Sequence, residues 1–393
     1  MTASTTLSPT DVAALRDRVT GRVLARGDLP DGGPTAAEAV AAHSTLVAHD
    51  PDVAVLAETE ADVVEAVRFA AHHGLRVRSH ATGHGQSSPI TDGVVLGTSG
   101  LAGVEVDPAS RVAHIGAGTR WSAVVDAAAE HGLAPVTGSS TSVGVVGYTL
   151  GGGYGPLTRS HGLTSDRVRG FRVVLADGSV VEAGPDSEPD LFWALRGGKG
   201  GLGVVTRLDL ELVPLRTLYA GSLTFDAPHV EEVLRGWAAW TATAPDDVTT
   251  SVAVLALPDL PFVPEHLRGR TVLALRFAYP GDPAEGERLA APLRALAPAL
   301  ADTVGELPVT AVATIHADPE DAGPSWVYGA GLREVDGEFL DRFLAELGPG
   351  SGSPFVAAEL RHVGGAGARG GEGGGCLGYS SPRRGGRGGA GGG

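Results

Sequence analysis

Hydrophobic residues recur at helical spacing near the start of the chain. Within residues 9–26 they fall on one stripe, and most of the other positions are polar or small. A serine or threonine at the beginning of this segment can cap a helix. The stripe consists of Val12, Leu15, Val19 and Val23, and the candidate caps are Ser8 and Thr10. The pattern predicts one amphipathic helix over residues 9–26, followed by a loop over residues 28–34.

A strand, a helix and a second strand are predicted next. Residues 53–57 form a short apolar run, and Thr59 after them can cap a helix that Gly74 ends. The buried positions of this helix are expected at Val63, Val64, Val67 and Ala70. Residues 75–78 begin the second strand. This order of elements indicates a β-α-β unit.

The chain then alternates short strands with one helix. Strands are predicted over residues 94–96, 103–106 and 112–115, and the helix over residues 121–131. Asp177-Gly178 is a strong turn dipeptide and predicts a hairpin between residues 171–175 and 180–182. Residues 204–213 alternate leucines with charged residues, which indicates a half-buried strand that Pro214 ends. We place a domain boundary there.

The sequence pattern changes after residue 214. Strand-like runs alternate with longer helices, which indicates an α+β domain with an antiparallel sheet over residues 215–363. Its strands are predicted over residues 218–225, 249–257 and 272–277, and its clearest helices over residues 230–242 and 283–296. Residues 1–46 are expected to lead, through a helix and a loop, into a first domain over residues 47–214. The fold class predicted for the chain is α+β.

The C-terminal stretch has a different composition from the rest of the chain. Residues 364–393 contain 16 glycines, four arginines and one acidic residue, Glu372. A segment this poor in apolar residues cannot bury enough surface to offset its backbone entropy, so we expect this tail to be disordered. A basic interaction tail is the functional alternative to a plain flexible one.

Composition and charge exclude several classes of protein. The chain has 393 residues, of which 42% are hydrophobic, so disorder of the whole chain is excluded. A net charge of -16 at pH 7 argues against a nucleic-acid partner, because an acidic surface repels phosphate backbones. The single cysteine, Cys376, rules out an intramolecular disulfide and a cysteine-rich zinc site, and no metal is predicted. Neither a signal peptide nor an apolar run of about 18 residues is present, so we expect a cytoplasmic protein without a membrane partner.

One glycine-rich segment matches a nucleotide-binding spacing in the wrong context. Residues 198–203 read G-x-G-x-x-G, but a helix-like segment precedes them and an alternating strand follows. A Rossmann fingerprint needs the reverse order. A P-loop needs Ser or Thr after its lysine, and Gly200 follows Lys199. Neither motif is therefore predicted.

Two other loops are candidates for ligand binding. Residues 78–85 follow a predicted strand, and residues 138–155 are dense in glycine and serine. Glycines allow a backbone to approach a ligand closely, and successive amides form an anion-binding nest. Two such loops in one domain suit a diphosphate and a flat ring system. The alternative is that both are tight turns in a glycine-rich protein.

An ordered set of motifs in this region resembles a known family. The region from about residue 47 to 215 is similar to the FAD-binding PCMH-type domain of the vanillyl-alcohol oxidase class, and most similar to berberine-bridge-enzyme-like oxidases. Each motif alone is weak, and their order and spacing are specific. The motifs are Ala81-Thr-Gly-His84-Gly, Val143-Gly-Val-Val-Gly147, Leu150-Gly-Gly-Gly153, Gly162-Leu-Thr-Ser-Asp166, Val174-Leu-Ala-Asp-Gly178, Asp190-Leu-Phe-Trp-Ala-Leu-Arg-Gly-Gly198 and Gly203-Val-Val-Thr206. In the second domain, Ile315-His-Ala-Asp-Pro319 resembles the family's substrate domain less sharply.

The resemblance implies an FAD site with one covalent link. His84 matches the histidine to which the family attaches the flavin, and Ser140 stands where some members carry a second, cysteine tether. Val143 matches the position that gates oxygen, and the main chain of Val205 is expected to meet the adenine. The positions implied to bind FAD are Ser79, His80, Ala81, Thr82, Gly83, His84, Gly85, Gln86, Gly138, Ser139, Ser140, Val143, Gly144, Gly147, Gly151, Gly152 and Val205.

The chemistry that the resemblance implies is oxidation of a small organic substrate such as a sugar, an alcohol or a secondary metabolite. The substrate gives a hydride to flavin N5, and O2 takes the electrons to give hydrogen peroxide. Family members draw a base from a Tyr or Glu of the later sequence. Tyr148, Tyr154 and Tyr328 are candidates by residue type, and the alternative role of each is packing or hydrogen bonding.

The match to the family breaks near residue 364. Family members continue past this length with a segment that returns to the flavin, whereas here the glycine-rich tail begins. A reading-frame shift near residues 364–370 is one hypothesis for that composition. Three alternatives to an active oxidase follow: a truncated and inactive flavin-binding chain, a non-flavin binding protein that uses the basic tail, and a dehydrogenase with another electron acceptor.

Overall fold

The computed structural model describes residues 7–28, 32–261, 263–369 and 376. The helices of this part are α1 (Pro9–Arg16), α2 (Ala36–Ala39), α3 (Glu60–His72), α4 (Trp121–Glu130), α5 (Val145–Thr149), α6 (Thr158–His161), α7 (Pro189–Leu195), α8 (Val230–Thr241), α9 (Pro283–Arg294) and α10 (Gly337–Leu347). The strands are β1 (Arg22–Ala25), β2 (Val53–Leu56), β3 (Val77–His80), β4 (Val94–Gly97), β5 (Val104–Asp107), β6 (Val112–Gly116), β7 (Leu133–Ala134), β8 (Val168–Val174), β9 (Val180–Ala183), β10 (Val204–Glu211), β11 (Val213–Pro214), β12 (Thr217–Asp226), β13 (Thr249–Ala256), β14 (Thr271–Tyr279), β15 (Ala299–Asp302), β16 (Gly305–Pro308) and β17 (Ala357–Arg361).

The first sheet contains the predicted β-α-β unit. Its strand order is β1-β2-β4-β3, and β2 and β3 both run parallel to β4 rather than pairing with each other. Helix α3 begins where Thr59 accepts a hydrogen bond from the amide of Asp62, as the capping pattern predicts. The apolar face of α3 packs on this sheet, which places the loop after β3 at one edge of the domain.

The single helix expected over residues 9–26 is wrong in its second half. Helix α1 ends at Arg16, and residues 22–25 form the antiparallel strand β1 beside β2. Val23 and Leu24 are consecutive and both buried, which a helical stripe does not explain. A side chain at Gly21 would lie 1.9 Å from the carbonyl oxygen of Leu56, so only glycine allows this close approach.

The second sheet is antiparallel, with strand order β5-β6-β10-β8-β9. The hairpin predicted around Asp177-Gly178 joins β8 to β9. Leu208, Leu210 and Leu212 are buried as the alternation predicts. Helix α4 packs against this sheet through Trp121 and Val124, and its first turn lies beside the second glycine-rich loop.

The strands of the third sheet come from the second half of the chain. Its strand order is β15-β12-β14-β13-β17, with β16 also paired to β12, and every pair is antiparallel. Helices α8, α9 and α10 cover one face and bury Phe225, Trp237 and Phe277 between them and the sheet. The antiparallel sheet and the α+β class are confirmed. The domain boundary after Pro214 stays a prediction.

The beginning of the glycine-rich tail is ordered, contrary to expectation. Residues Gly365–Ala368 form a 3-10 turn, and the Arg369 guanidinium donates a 2.8 Å hydrogen bond to Asp246. Gly365 has φ +59°, and a side chain there would lie 2.4 Å from the carbonyl oxygens of Arg159 and Asp246. Composition misses this packing because glycine permits a contact that larger residues forbid. Apart from Cys376, the rest of the tail lies outside the described residues.

Among the helices that the structure describes, none combines the length and the apolar content that crossing a membrane requires.

Candidate functional site

The two glycine-rich loops and the third sheet enclose one cavity of about 270 Å³. Five segments that are distant in sequence meet there. The residues that line it are His43, His84, Gly138, Ser139, Ser140, Val143, Tyr148, Tyr154, Asp318, Pro319 and Arg361. Seven of these come from the residues that the sequence singles out, and the remaining four were not predicted.

The first loop, residues 81–86, leaves strand β3 and folds back toward residues 41–43. Gly83 has φ +74°, and a side chain there would lie 2.6 Å from the carbonyl oxygen of Ala41. The amides of residues 82–85 donate to no acceptor among the described residues. Free successive amides of this kind bind anions. The loop therefore fits the diphosphate of a dinucleotide.

His84 is held in this loop by two neighbours. Its Nδ1 lies 2.9 Å from Oγ1 of Thr82, and its ring stacks on His43 with centroids 3.8 Å apart. Burial lowers the pKa of His84 to about 4, and the charges of His43 and Arg120 add to that effect. The imidazole is therefore neutral at physiological pH, with a lone pair on one of its nitrogens.

Of the predicted residues 79–86, His84 is the one that lines the cavity. Ser79 is exposed on β3, and the Nε2 of buried His80 lies 3.1 Å from the carbonyl oxygen of Ala41. The amide of Ile90 donates to Nδ1 of His49, so His49 donates from Nε2 to the side-chain oxygen of Gln86 at 2.7 Å. Gln86 thus holds the first loop through His49 and does not line the cavity.

The second loop is tied to the start of α4. The Trp121 amide donates to Val143 O at 3.1 Å, and the Arg120 guanidinium donates to Ser142 O at 2.9 Å. The Gly144 amide donates to Thr82 Oγ1 at 3.3 Å and so joins the two loops. Ser140 Oγ lies 2.9 Å from Ser142 Oγ and provides no thiol at the cavity.

The only cysteine lies elsewhere. Cys376 Sγ is 3.5 Å from the carbonyl oxygen of Ala194, beside α7, and it does not line the cavity.

The segment around Lys199 packs on the second loop. The amide of Lys199 donates to Leu150 O at 2.8 Å, and its ammonium group donates to Gly147 O at 3.3 Å. Helix α7 precedes Lys199 and strand β10 follows it, which confirms the inverted context that excluded a Rossmann motif.

The remaining glycines of the second loop and Val205 lie around the cavity rather than in its wall. Gly147 has open space on the side where a side chain would stand, and Gly151 packs on Lys199. Gly152, with φ +98°, accepts a hydrogen bond from the amide of Ser165. Val205 sits in β10 opposite Val173.

The three candidate tyrosines occupy different environments. The ring of Tyr148 meets Trp121 edge to face at 5.7 Å, and burial raises the pKa of its phenol far above the usual value. The Tyr154 hydroxyl donates to His362 O at 2.7 Å, and the Arg361 guanidinium lies 5.9 Å from the centre of its ring. Tyr328 is 77% exposed and does not line the cavity.

The third sheet brings a charged cluster to the cavity that sequence reasoning missed. Arg361 Nε donates to Glu359 at 2.7 Å, and Arg276 Nη1 donates to the same carboxylate at 3.4 Å. Burial would raise the pKa of Glu359, but the arginines outweigh it and hold that pKa below its usual value. Burial lowers the pKa of neighbouring His316 to about 4, with Arg276 adding to the effect.

One sequence signal could have indicated this cluster. Glu359 and Arg361 are two residues apart, so a strand places both on one face, and two charges there need a partner or a ligand. Asp318 belongs to the motif at residues 315–319 that resembles the family's substrate domain. His43 gives no comparable signal, because its position at the cavity depends on contacts with distant segments. The Gly323 amide, for example, donates to His43 O at 3.2 Å.

Comparison with known proteins identifies a family that this region resembles. Residues 51–184 match the family described as an FAD binding domain. This part of the chain is similar to FAD-binding domains. The match includes both glycine-rich loops and, with the first of them, His84.

The comparison with curated proteins agrees with that identification. (R)-6-hydroxynicotine oxidase of Paenarthrobacter nicotinovorans is 39% identical over 175 residues, which are 44% of this chain and 38% of that enzyme. The chain thus spans well under half of that relative. The resemblance to PCMH-type FAD oxidases is confirmed for the FAD-binding domain.

Solved structures extend the likeness to the fold. 6-Hydroxy-D-nicotine oxidase from Arthrobacter nicotinovorans has a TM-score of 0.65 at 28% identity, covering 76% of this chain and 64% of that one. A glucooligosaccharide oxidase from Acremonium strictum has a TM-score of 0.58 at 24% identity, covering 68% of this chain and 56% of that one. The arrangement of an FAD-binding domain followed by an antiparallel sheet is therefore shared with oxidases.

Proposed function

We propose that the protein is an FAD-linked oxidase that removes a hydride from a small organic substrate and passes the electrons to O2. The observation that carries this proposal is the position of His84. It lies in an FAD-binding domain, neutral and half-buried, in the wall of the cavity that both glycine-rich loops line.

The residues present fit FAD. The free amides of residues 82–85 suit a diphosphate, and the small residues Gly138, Ser139 and Ser140 leave room for a flat ring beside the second loop. The main chain of Val205 is the proposed contact for the adenine. When bound, FAD supplies a hydride acceptor at N5.

His84 is the proposed covalent link. A neutral imidazole is a nucleophile, whereas a protonated one is not, and burial keeps His84 neutral. Thr82 fixes the ring through Nδ1, and His43 supports its face. The related glucooligosaccharide oxidase carries, by its description, a 6-S-cysteinyl and 8α-N1-histidyl FAD. Because no cysteine lines the cavity here, we propose one link rather than two.

Val143 is the proposed oxygen gate. It lines the cavity with a small side chain, and its carbonyl is held by the amide of Trp121. A small residue there leaves a path for O2, which favours an oxidase over a dehydrogenase. Enlarging it in Val143→Leu should slow reoxidation of the reduced protein by O2 without changing flavin content.

The direct test is flavin fluorescence on a denaturing gel. We expect the wild-type band to fluoresce, His84→Ala to lose that fluorescence, and His114→Ala, an exposed histidine paired with Asp209, to keep it. Yellow protein that loses its flavin on denaturation would support the proposed FAD site and contradict the proposed covalent link. Colourless wild-type protein would contradict the proposal. Yellow protein that makes no peroxide with any substrate tried would favour the inactive flavin-binding alternative.

A further inference from the structure

The cavity contains a carboxylate that FAD binding does not use. Asp318 lines it and is half-buried. Among the residues that the structure describes, none forms a hydrogen bond or an ion pair with this carboxylate. Its charge acts on Arg276 and His316 without a direct bond to either. A molecule in the cavity can therefore supply the hydrogen-bond donor that this half-buried carboxylate lacks.

Other groups near the cavity are already engaged. Glu359 is bound by Arg361 and Arg276, which hold its pKa low and make it a poor proton acceptor. Tyr154 donates its hydroxyl proton to His362 O, and burial raises the pKa of Tyr148 so that its phenolate is disfavoured. Asp318 is the acidic residue left among those that line the cavity.

The backbone holds Asp318 in place. Ala317, just before it, has φ +50°, a left-handed conformation that residues other than glycine seldom adopt. Its amide donates to Ala313 O at 3.0 Å, and Pro319 restricts the conformation of Asp318 from the other side. Strain of this kind persists where the surroundings impose it, and it is concentrated at functional sites.

Arg361 stands in the same cavity as a cation. Its Nε bonds Glu359, which leaves the two terminal amino groups of the guanidinium for a ligand. Asp318 and Arg361 carry opposite charges, so together they suit a neutral substrate that offers both a donor and an acceptor. A hydroxyl group does both.

We propose that Asp318 accepts the proton of a substrate hydroxyl and that Arg361 binds the oxygen of that hydroxyl, which assigns the substrate to the neutral alcohols, sugars included. The inference rests on the proposed function. In the reaction, the substrate carbon loses a hydride with both electrons of its C–H bond to flavin N5. The hydroxyl loses its proton to Asp318, and the C–O bond becomes C=O. Asp318 then releases the proton to solvent.

The location of Asp318 can be tested with sulfite, which adds to N5 of oxidised flavins and bleaches their colour. Asp318→Asn removes a negative charge from the cavity and should bind sulfite about tenfold more tightly than wild type. Arg361→Gln should bind it about tenfold more weakly. Asp321→Asn, an equal change at an exposed site three residues away, should match wild type. Equal sulfite affinity in wild type and Asp318→Asn would overturn the inference.

The proton role is tested by anaerobic bleaching with two probes, xylobiose for hydroxyl oxidation and (R)-6-hydroxynicotine for amine oxidation. We expect xylobiose to be the better probe and Asp318→Asn to slow its reaction by about 100-fold or more. Asp318→Glu, which keeps the carboxylate, should recover part of that rate. If Asp318→Asn slows the reaction with xylobiose by less than about tenfold, or if the amine alone bleaches the wild-type flavin, the proton role of Asp318 is contradicted. Colourless wild-type protein would instead defeat the proposed function, and this inference with it.

Discussion

The imidazole of His84 lies face to face with that of His43, with ring centroids 3.8 Å apart and ring planes 19° apart. His43 belongs to the segment between β1 and β2, and His84 belongs to the loop that leaves β3. Burial is the main cause that lowers the pKa of His84, and the charge of His43 adds to that effect. The neutral imidazole is the nucleophilic form that the proposed flavin link requires.

Covalent incorporation of FAD should therefore depend little on pH across the range in which histidine usually titrates. The pKa of His84 is lowered to about 4, so its imidazole stays neutral when the pH falls through 6. We expect the yield of fluorescent band, after reconstitution with FAD, to be level between about pH 5.5 and pH 8. A half-maximal yield near pH 6.5 would show that His84 titrates normally.

Removal of the neighbouring ring should shift that dependence. His43→Ala exposes His84 to water and removes the electrostatic influence of the second ring, and both changes raise the pKa of His84. We expect the incorporation yield of this variant to fall at a higher pH than that of wild type. His131→Ala provides a control at a site beyond the end of α4, and it should leave the profile unchanged.

Thr82 should matter through its hydroxyl. Its Oγ1 contacts both Nδ1 of His84 and the amide of Gly144. Thr82→Val keeps the shape and removes both hydrogen bonds, so we expect slower flavin incorporation and a loss of about 1 kcal/mol in the free energy of unfolding. Thr82→Ser keeps the hydroxyl and should incorporate flavin at nearly the wild-type rate. Equal rates in the valine variant would show that the hydroxyl does not orient His84.

Asp62 should be a major stability residue of the first sheet. Its buried carboxylate accepts hydrogen bonds from the amides of Thr20, Gly21, Glu58 and Thr59. Burial alone would raise the pKa of Asp62, but these donors outweigh it and hold the pKa below its usual value. We expect Asp62→Ala to lower the free energy of unfolding by about 2–4 kcal/mol in urea titrations at pH 7.

The pH dependence of that loss follows from the direction of the shift. A lowered pKa in the folded state stabilises the fold above the pKa of the unfolded chain, and this contribution disappears as the pH falls through the folded-state value. The difference between wild type and Asp62→Ala should therefore shrink in acid. Asp126→Ala, at an exposed position of α4, should show no such difference at any pH.

Arg159 should hold the two halves of the chain together. This arginine of α6 is 4% exposed and donates to the carbonyls of Pro245, Val248 and Val363. Arg159→Met leaves three carbonyls unpaired and should cost about 3 kcal/mol or more in unfolding free energy. Arg288→Met, an exposed arginine of α9, should cost about 0.5 kcal/mol or less. A similar small loss in both variants would contradict this role.

Two truncations should separate the ordered start of the tail from the remainder. Deletion of residues 364–393 removes the 3-10 turn, the buried Gly367 and the Arg369–Asp246 hydrogen bond, whereas deletion of residues 370–393 keeps them. We expect the longer deletion to lower the melting temperature by several degrees relative to the shorter one. Equal melting temperatures would show that the turn adds no stability.

Several helices, strands and turns could be predicted because the residues that fix them are neighbours in the sequence. Thr59 and the apolar spacing after it predict α3, and Asp177-Gly178 predicts the turn between β8 and β9. The prediction of one helix over residues 9–26 was wrong in its second half, because β1 is fixed by its pairing with β2. A stripe of valines does not reveal that pairing. The prediction that residues 365–368 are disordered was wrong for a similar reason, since Gly365 packs against carbonyls of distant residues.

The candidate site was only half visible in the sequence. His84, Ser140 and Val143 belong to motifs with a characteristic order, and the structure places all three in one cavity wall. Asp318 and Arg361 reach the same cavity from the third sheet and its connections, through strand pairing and through contacts with residues 43–45. Spacing along a chain does not encode such a meeting, because it depends on how separate sheets pack.

The cavity wall has a consequence for biogenesis. His43 stands near the beginning of the described chain, and Arg361 lies in β17, the last strand to join the third sheet. A ribosome must synthesise the chain from His43 through β17 before the cavity can form. Yellow colour in a growing culture would then report molecules in which that strand has joined the third sheet, and a screen for brightness would select for its correct pairing.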